Sequence, residues 1–301
     1  MASYTMVLLS LFISCFSILL LSLALSSVLL VSVTTTAGNF HQHININWGE
    51  EKAQILDRGQ LVTLTLDQYS GSGFQSKDEY LFGRADMQLK LVPGDSAGTV
   101  TAFYLSSLGP GHDEIDFEFL GNVSGEPYIV HTNIYTDGHA GREQQFYLWF
   151  DPRQDFHTYS IIWNPQRVIF LVDEFPVRVY TNYESLGVPY PSRKPMRLYS
   201  SIWNGDSWAT QSGKVKIDWT KAPFTASYRN LKIDACVWES TSSTCDSESE
   251  STNSSPSKTW MNQQLDEGGK MNLQWVQKNY MVYNYCTDYE FIHGVPLECN
   301  L

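Results

Sequence analysis

From residue 40 to residue 235 the chain is written largely in alternation. In "LVTLTLD" Val62, Leu64 and Leu66 alternate with Thr63 and Thr65, and in "DMQLKLV" Met87, Leu89 and Leu91 alternate with Gln88 and Lys90. A period of two belongs to antiparallel strands with one buried face. The shorter apolar runs "YLWF", "YSIIW", "VIFLV" and "VRVY" read as further strands, with turn signals at Asp151-Pro152, Asn164-Pro165 and Asp173-Glu174 between them. No helix of useful length is predicted in this region, which excludes βαβ folds. The pattern predicts an all-β fold, a two-sheet jelly-roll sandwich.

Both ends depart from this pattern. Met6 to Val33 is apolar and Ser-laced, and the first charged residue is Glu50. Residues 1–38 read as a signal peptide, with "TTTAG" suited to cleavage near Ala37 or Gly38. A retained anchor is the alternative, because the run is long enough to span a bilayer. Residues 39–235 then form the jelly-roll domain and 236–301 a C-terminal extension. Thr241 to Lys258 is Ser-rich and acidic and reads as a loop. After it, Leu273, Val276 and Tyr280 stand at helical spacing, predicting one amphipathic helix from near Lys270 whose apolar stripe packs on the core.

Composition narrows the functional classes. The net charge of −12 argues against a nucleic-acid partner, whose phosphates demand a basic surface. Removing the signal leaves about 260 residues, enough for one large β domain with an appendage. It also leaves four of the five cysteines, all in the last quarter of the chain. Four cysteines allow three pairings, of which the sequential one, Cys236–Cys245 and Cys286–Cys299, is expected. No short Cys-x-x-Cys pair suggests zinc.

The chemistry concentrates in "HDEIDFEFLGN". On a strand, Glu114, Asp116 and Glu118 share one face while Ile115, Phe117 and Phe119 share the other. A merely solvated face would not gather like charges at this spacing, and a calcium site would use the same carboxylates. The third reading is catalytic. The Cα atoms of Glu114 and Glu118 are roughly 13 Å apart on a strand. Glutamates at both ends can lean inward to the ~5–5.5 Å carboxyl separation of a retaining glycosidase. Asp116 is shorter and sits deeper. Crowding three carboxyls keeps a proton in the row near neutral pH, so a neutral acid coexists with an ionised nucleophile.

This motif resembles the active-site strand of plant xyloglucan endotransglucosylase/hydrolases, in glycoside hydrolase family 16. "WGEEKAQILDRGQLVTLTLD", "GREQQFYLWFDP", "SIWNGDSWAT", "DWTKAPFTASYRN" and the tail "YNYCTDY…PLEC" are similar to that family as well, so the resemblance covers essentially the whole mature chain. It implies a concanavalin-like jelly roll with an open cleft for the β-1,4-glucan backbone of xyloglucan. It makes Glu114 the nucleophile, Glu118 the proton donor and base, and Asp116 their assistant. By the same resemblance Tyr104, Trp203 and Trp208 are sugar platforms, and Asn133, Arg142 and Gln144 are polar contacts. His112, at the head of the strand, is placed either to hydrogen-bond the carboxylates or as a plain strand-end histidine. Asn122-Val123-Ser124 is a glycosylation acceptor, and Asn253-Ser254-Ser255 a weaker one because Pro256 follows.

The function implied is cleavage of xyloglucan with transfer of the new end to another xyloglucan chain. The partners are a xyloglucan donor and a xyloglucan or oligosaccharide acceptor, with no cofactor, no metal and no membrane after signal removal. A secreted monomer of the cell wall, or apoplast, is expected. Hydrolysis, with water as acceptor, uses the same residues. A non-catalytic glucan-binding lectin is a third reading, against which Glu114 and Glu118 argue. "SIWNGDSWATQSGKVKIDWTKAPF" looks like the transferase pattern. Two features depart from the family: Tyr289 and Glu290 stand where an acceptor-side arginine is usual, and the Ser/Glu insert at 246–257 is long and acidic.

Overall fold

The computed structural model describes residues 38–245, 258–288 and 294–301. The signal segment, Asn253 and the Tyr289–Glu290 pair lie outside the described residues. Two antiparallel sheets are stacked. The first contains, in spatial order, β1 (Ile44–Trp48), β4 (Ser72–Ser76), β13 (Arg197–Asn204), β6 (Thr99–Ser106), β7 (Glu114–Leu120), β8 (Ile129–Tyr135), β9 (Gln144–Tyr147) and β16 (Met281–Asn284). The second runs β12 (Phe175–Thr181), β11 (Arg167–Val172), β10 (His157–Trp163), β5 (Tyr80–Lys90), β14 (Phe224–Glu239), β3 (Leu61–Leu66) and β2 (Ala53–Leu56), with β15 (Ser242–Ser243) paired to β14. The helices are a short α1 (Phe40–His43) and α2 (Glu267–Tyr280). No helix among the described residues is long and apolar enough to cross a membrane.

The two sheets close on each other through side chains of alternate residues, as the period of two requires. Ile115, Phe117 and Phe119 of β7 are fully buried. The Phe117 ring meets Phe170 of β11 edge-on at 5.1 Å, and Phe119 meets Tyr159 of β10 at 4.6 Å. These contacts hold the carboxylate strand from beneath. At the edge of the second sheet, Pro176 cannot donate to the ladder, and the register between β11 and β12 shifts beside it, between Phe170 and Leu171. Arg178 follows on β12 and is buried between the sheets. Its Nη1 donates to the carbonyl and the hydroxyl of Thr132 on β8, at 2.9 and 3.0 Å.

The C-terminal region is bonded into this frame. β14 runs unbroken through the boundary expected at 235, and Cys236 on it is joined to Cys245. Cys286 is joined to Cys299. β16 extends the first sheet by pairing with β9. α2 begins three residues before the expected start. The Asp266 side chain caps it by accepting from the Gly269 amide at 2.7 Å, which overrides the poor helix propensity of Gly268 and Gly269. The "YLWF" run is a strand only as far as Tyr147. Trp149 leaves the ladder to pack against Phe175, Trp275 and Tyr280, an aromatic cluster that α2 lays over this edge.

Because Phe117 meets both Tyr159 and Phe170, Phe117→Ala should open a cavity directly beneath the carboxylate row. The expected loss is about 3–5 kcal/mol of unfolding free energy, read as a lower urea midpoint with an unchanged slope. A loss below about 1 kcal/mol would mean that this contact does not anchor the strand.

Candidate active site

β7 is the fifth of the eight strands of its sheet. With Phe117 and Phe119 committed to the core, Glu114, Asp116 and Glu118 must face the other way. Cross-strand register surrounds each with neighbours on its own face. Glu114 lies between Ser106 and Tyr135, Asp116 between Tyr104 and Asn133, and Glu118 between Ala102 and His131. The three carboxylates line a cleft of about 290 Å³ together with Trp48, Ala102, Tyr104, Ser201 and Trp203. Asp116 lies deepest, only 4% exposed, whereas the Glu114 and Glu118 side chains are each 20% exposed.

Burial and like charge set the protonation of this row. Burial pushes the Glu118 carboxyl up to about 7, and the charges of Glu114 and Glu143 add to the rise. Asp116 is driven well above the ordinary carboxylate range. Burial is again the first cause, followed by the charges of Glu114 and Glu118 and a hydrogen bond to Glu114, with Arg178 opposing. Both raised carboxyls are biased toward their protonated forms. The like charges that press on Glu118 are those of Glu114 and Glu143. His131 is pushed down to about 4, first by burial and then by Arg178, so it is neutral beside Glu118 with its Nε2 4.0 Å from Oε2. Gln145 Nε2 lies 3.0 Å from His131 Nδ1.

The residues singled out in the sequence land in different places. Tyr104 stacks on Tyr199 at 5.2 Å beside Asp116. Trp203 lines the cleft, and Trp208 stands beside it at 6.2 Å, edge-on to His131. Both tryptophans rest on a small apolar cluster of Val100, Leu120 and Ala209. Asn133 faces the site, and its Oδ1 accepts from the Ile134 and Arg142 amides. Asn122 is half-buried at the end of β7, its Nδ2 donating to Pro127 O at 3.0 Å.

Three expectations are corrected. His112 precedes β7 and stacks on Tyr135. Its Nδ1 donates to Gly109 O at 2.8 Å, leaving Nε2 3.8 Å from Glu114 Oε2, too far for a hydrogen bond. Arg142 turns away from the cleft. Its Nε donates to Glu298 Oε1 at 2.8 Å and its guanidinium covers the Tyr180 ring, so it fastens the C-terminal turn. Gln144 pairs with Thr132, which pairs with Phe117, and this places it with the core-facing set. Its Nε2 donates to Asn284 Oδ1, and its neighbour Gln145 takes the carboxylates' face. Sequence reading passed over Trp48, His131, Glu143 and Gln145. Only register could have shown that His131 and Gln145 share a face with Glu118. Among the described residues no group of three or more His, Cys, Asp or Glu side chains is arranged to hold a metal ion.

Comparison with known proteins agrees with this geometry. The signature of the glycosyl hydrolases family 16 matches residues 40–221, and that of the xyloglucan endo-transglycosylase (XET) C-terminus matches 254–299. Xyloglucan endotransglucosylase protein 1 of Diospyros kaki is 57% identical over 289 residues, covering 96% of each chain. Xyloglucan endotransglucosylase/hydrolase protein 24 of Arabidopsis thaliana is 56% identical over 91% of this chain and 95% of its own. Among solved structures, an apo Crh5 transglycosylase aligns with a TM-score of 0.55 at 26% identity, over 67% of this chain and 81% of that one. A prokaryotic β-1,3-1,4-glucanase (lichenase) from a mouse hindgut metagenome aligns with a TM-score of 0.52 at 25% identity, over 64% and 94%. Two family signatures, close relatives along nearly the full length and a carboxylate row on the central strand lead to one conclusion: the chain belongs to glycosyl hydrolase family 16, among the xyloglucan endotransglucosylase/hydrolases.

Proposed function

We propose that the protein cuts the β-1,4-glucan backbone of xyloglucan with retention of configuration and passes the new end to a second xyloglucan chain. The observation that carries this reading is a carboxyl held near pH 7, Glu118, on the same strand face as the charged Glu114. In the first half-reaction Glu118 gives its proton to the glycosidic oxygen as that bond breaks. Glu114 attacks the anomeric carbon and a glycosyl ester forms. In the second half, the 4-OH of the acceptor gives its proton to Glu118 and attacks the same carbon, releasing Glu114. Asp116 assists as a neutral acid hydrogen-bonded to Glu114, which steadies the nucleophile without adding charge. Tyr104 and Trp203 offer the flat faces that sugar rings stack on. Residues 1–38 direct the chain out of the cell, and the cell wall is its place of work.

Glu114→Ala should lower turnover of xyloglucan by roughly 10⁴-fold while leaving binding in place. Added azide should restore cleavage and give a glycosyl azide of inverted configuration, identified by NMR. Near-full activity in this variant would sink the assignment.

The pH profile supplies a second test. Glu118 must enter the reaction protonated, so kcat/KM should be full below its pKa and fall as pH rises through about 7. Glu143→Gln removes a charge that disfavours the ionised form, so that limb should move to lower pH by about half a unit. Burial and its carboxylate neighbours bias Asp116 toward its protonated form, so Asp116→Asn changes the charge of the row little. It should slow the reaction and leave the limb in place. The opposite pattern would return Asp116 to the role of a charge.

The acceptor can be tested directly. With excess labelled xyloglucan oligosaccharide, hybrid chains should form far faster than new reducing ends appear, because a bound acceptor presents its 4-OH at high effective concentration. Reducing ends rising one-for-one with chain cleavage at saturating acceptor would make the protein a hydrolase.

A further inference from the structure

The cleft contains a tryptophan to which neither the proposed chemistry nor the sequence reading gives a role, Trp48, the first residue of the family-like "WGEEKAQILDRGQLVTLTLD" stretch. Trp48 ends β1, at the far edge of the first sheet, and is 38% exposed. Alternation alone would bury it. Ile44 is buried and Ile46 packs against the core, so a strict period of two puts Trp48 with them. The register shows what intervenes. Ile46 pairs with Phe74 and Trp48 with Gly73, so two residues of β1 answer one of β4. This bulge turns Trp48 from the core face to the face that bears the carboxylates, because Phe74 is fully buried and Gly73, its neighbour, points the other way.

From Glu118 a single row crosses the sheet through register partners. It runs Glu118 to Ala102, Ala102 to Ser201, Ser201 to Gly73, and Gly73 to Trp48. The three positions between acid and indole carry no side chain larger than a hydroxymethyl group. The indole covers Gly73, so the open floor between it and Glu118 consists of Ala102 and Ser201, and ring and carboxylates line one cleft. The ring is seated on backbone. A Cβ on Gly73 would stand 2.3 Å from Trp48 Nε1, and one on Gly71 would stand 3.0 Å from Cη2. Glycine at these two positions lets the indole lie against β4.

We infer that Trp48 is a sugar-stacking platform that receives a distal glucose ring of the glucan backbone lying across Ala102 and Ser201. The inference rests on the glucan-cleaving function proposed above and extends it to a ring several residues from the bond that breaks. A β-linked glucan suits the floor because it is extended and flat, and the apolar face of a pyranose matches an indole already fixed in place. A platform so far from the reacting atoms improves binding of the ground and transition states alike. Its signature is therefore a change in KM with little change in kcat.

The test uses the full chain carrying Glu114→Ala, titrated by calorimetry with linear β-1,4-gluco-oligosaccharides and xyloglucan oligosaccharides of increasing length. Affinity should step up once the ligand is long enough to reach Trp48. Trp48→Ala should erase about tenfold of that step, and Trp48→Phe should keep part of it. In the otherwise native enzyme, Trp48→Ala should raise KM for polymeric xyloglucan about tenfold with kcat changed by less than about twofold. Equal affinity of the Trp48→Ala and parent proteins for the longest ligands would overturn the inference and leave Trp48 as a cover for β4. If Trp48→Ala does not fold, Trp48→Phe decides, since unchanged long-ligand affinity and KM there would also overturn it. The binding arm needs no turnover. Failure of the glucan-cleaving function would show instead as a native protein that cuts no xyloglucan, whatever its affinity for the oligosaccharides.

Discussion

Everything at this site follows from one strand having two incompatible faces. Ile115, Phe117 and Phe119 bury themselves completely, and the edge-on contacts of Phe117 and Phe119 with β10 and β11 leave the strand no other register. A slip of one residue would drive three carboxyl groups into an aromatic core. The hydrophobic face thus fixes the spacing and direction of Glu114, Asp116 and Glu118 more rigidly than any contact among the carboxyls could. The site is precise because the core beneath it is.

The same arrangement generates the acid. Holding a strand at the middle of a sheet removes water from both sides of its outward row, and burial is the first cause of the raised Glu118 and Asp116 carboxyls. Glu114 and Glu143 then press on Glu118, while neutral His131 adds no charge. On the core side, Arg178 partly offsets the pressure on Asp116. Among the described residues that guanidinium has no carboxylate within ion-pair distance. Its Nη1 is held by Thr132, and Phe170 and Tyr285 lie against it. The outcome is a row in which Asp116 and Glu118 are both biased toward their protonated forms.

Much of this was legible in the sequence. The alternation around β3, β5 and β7 named the strands and their faces, and "HDEIDFEFLGN" named the carboxylate row that faces the cleft. What was hidden depends on register between distant segments. Gln144 and Gln145 are adjacent and identical, so only pairing through Thr132 and His131 decides which meets the cleft. His131 looks like an ordinary strand residue until it is set opposite Glu118. Arg142 sits in a family-like motif, yet it finds Glu298, 156 residues away. Trp48 was masked differently, since a bulge reverses a face that the local pattern assigns to the core.

On the proposed reading, transfer and hydrolysis use the same carboxylates of β7, and the strands on either side of it form the surface on which a donor and an acceptor would lie. β7 has four strands on one side and three on the other, and the outermost of the three, β16, comes from the C-terminal extension. Cys286 follows that strand directly and is bonded to Cys299, and the Arg142–Glu298 pair holds the same turn. The extension is therefore part of the binding sheet itself. Its family-specific signature, spanning 254–299, falls on the strand that lengthens the cleft face beyond β9. A longer sheet can bind more sugar units at once, and each bound unit raises the residence of an acceptor relative to water. On the proposed reading the chemistry belongs to one strand, and the C-terminal extension enlarges the sheet that carries it.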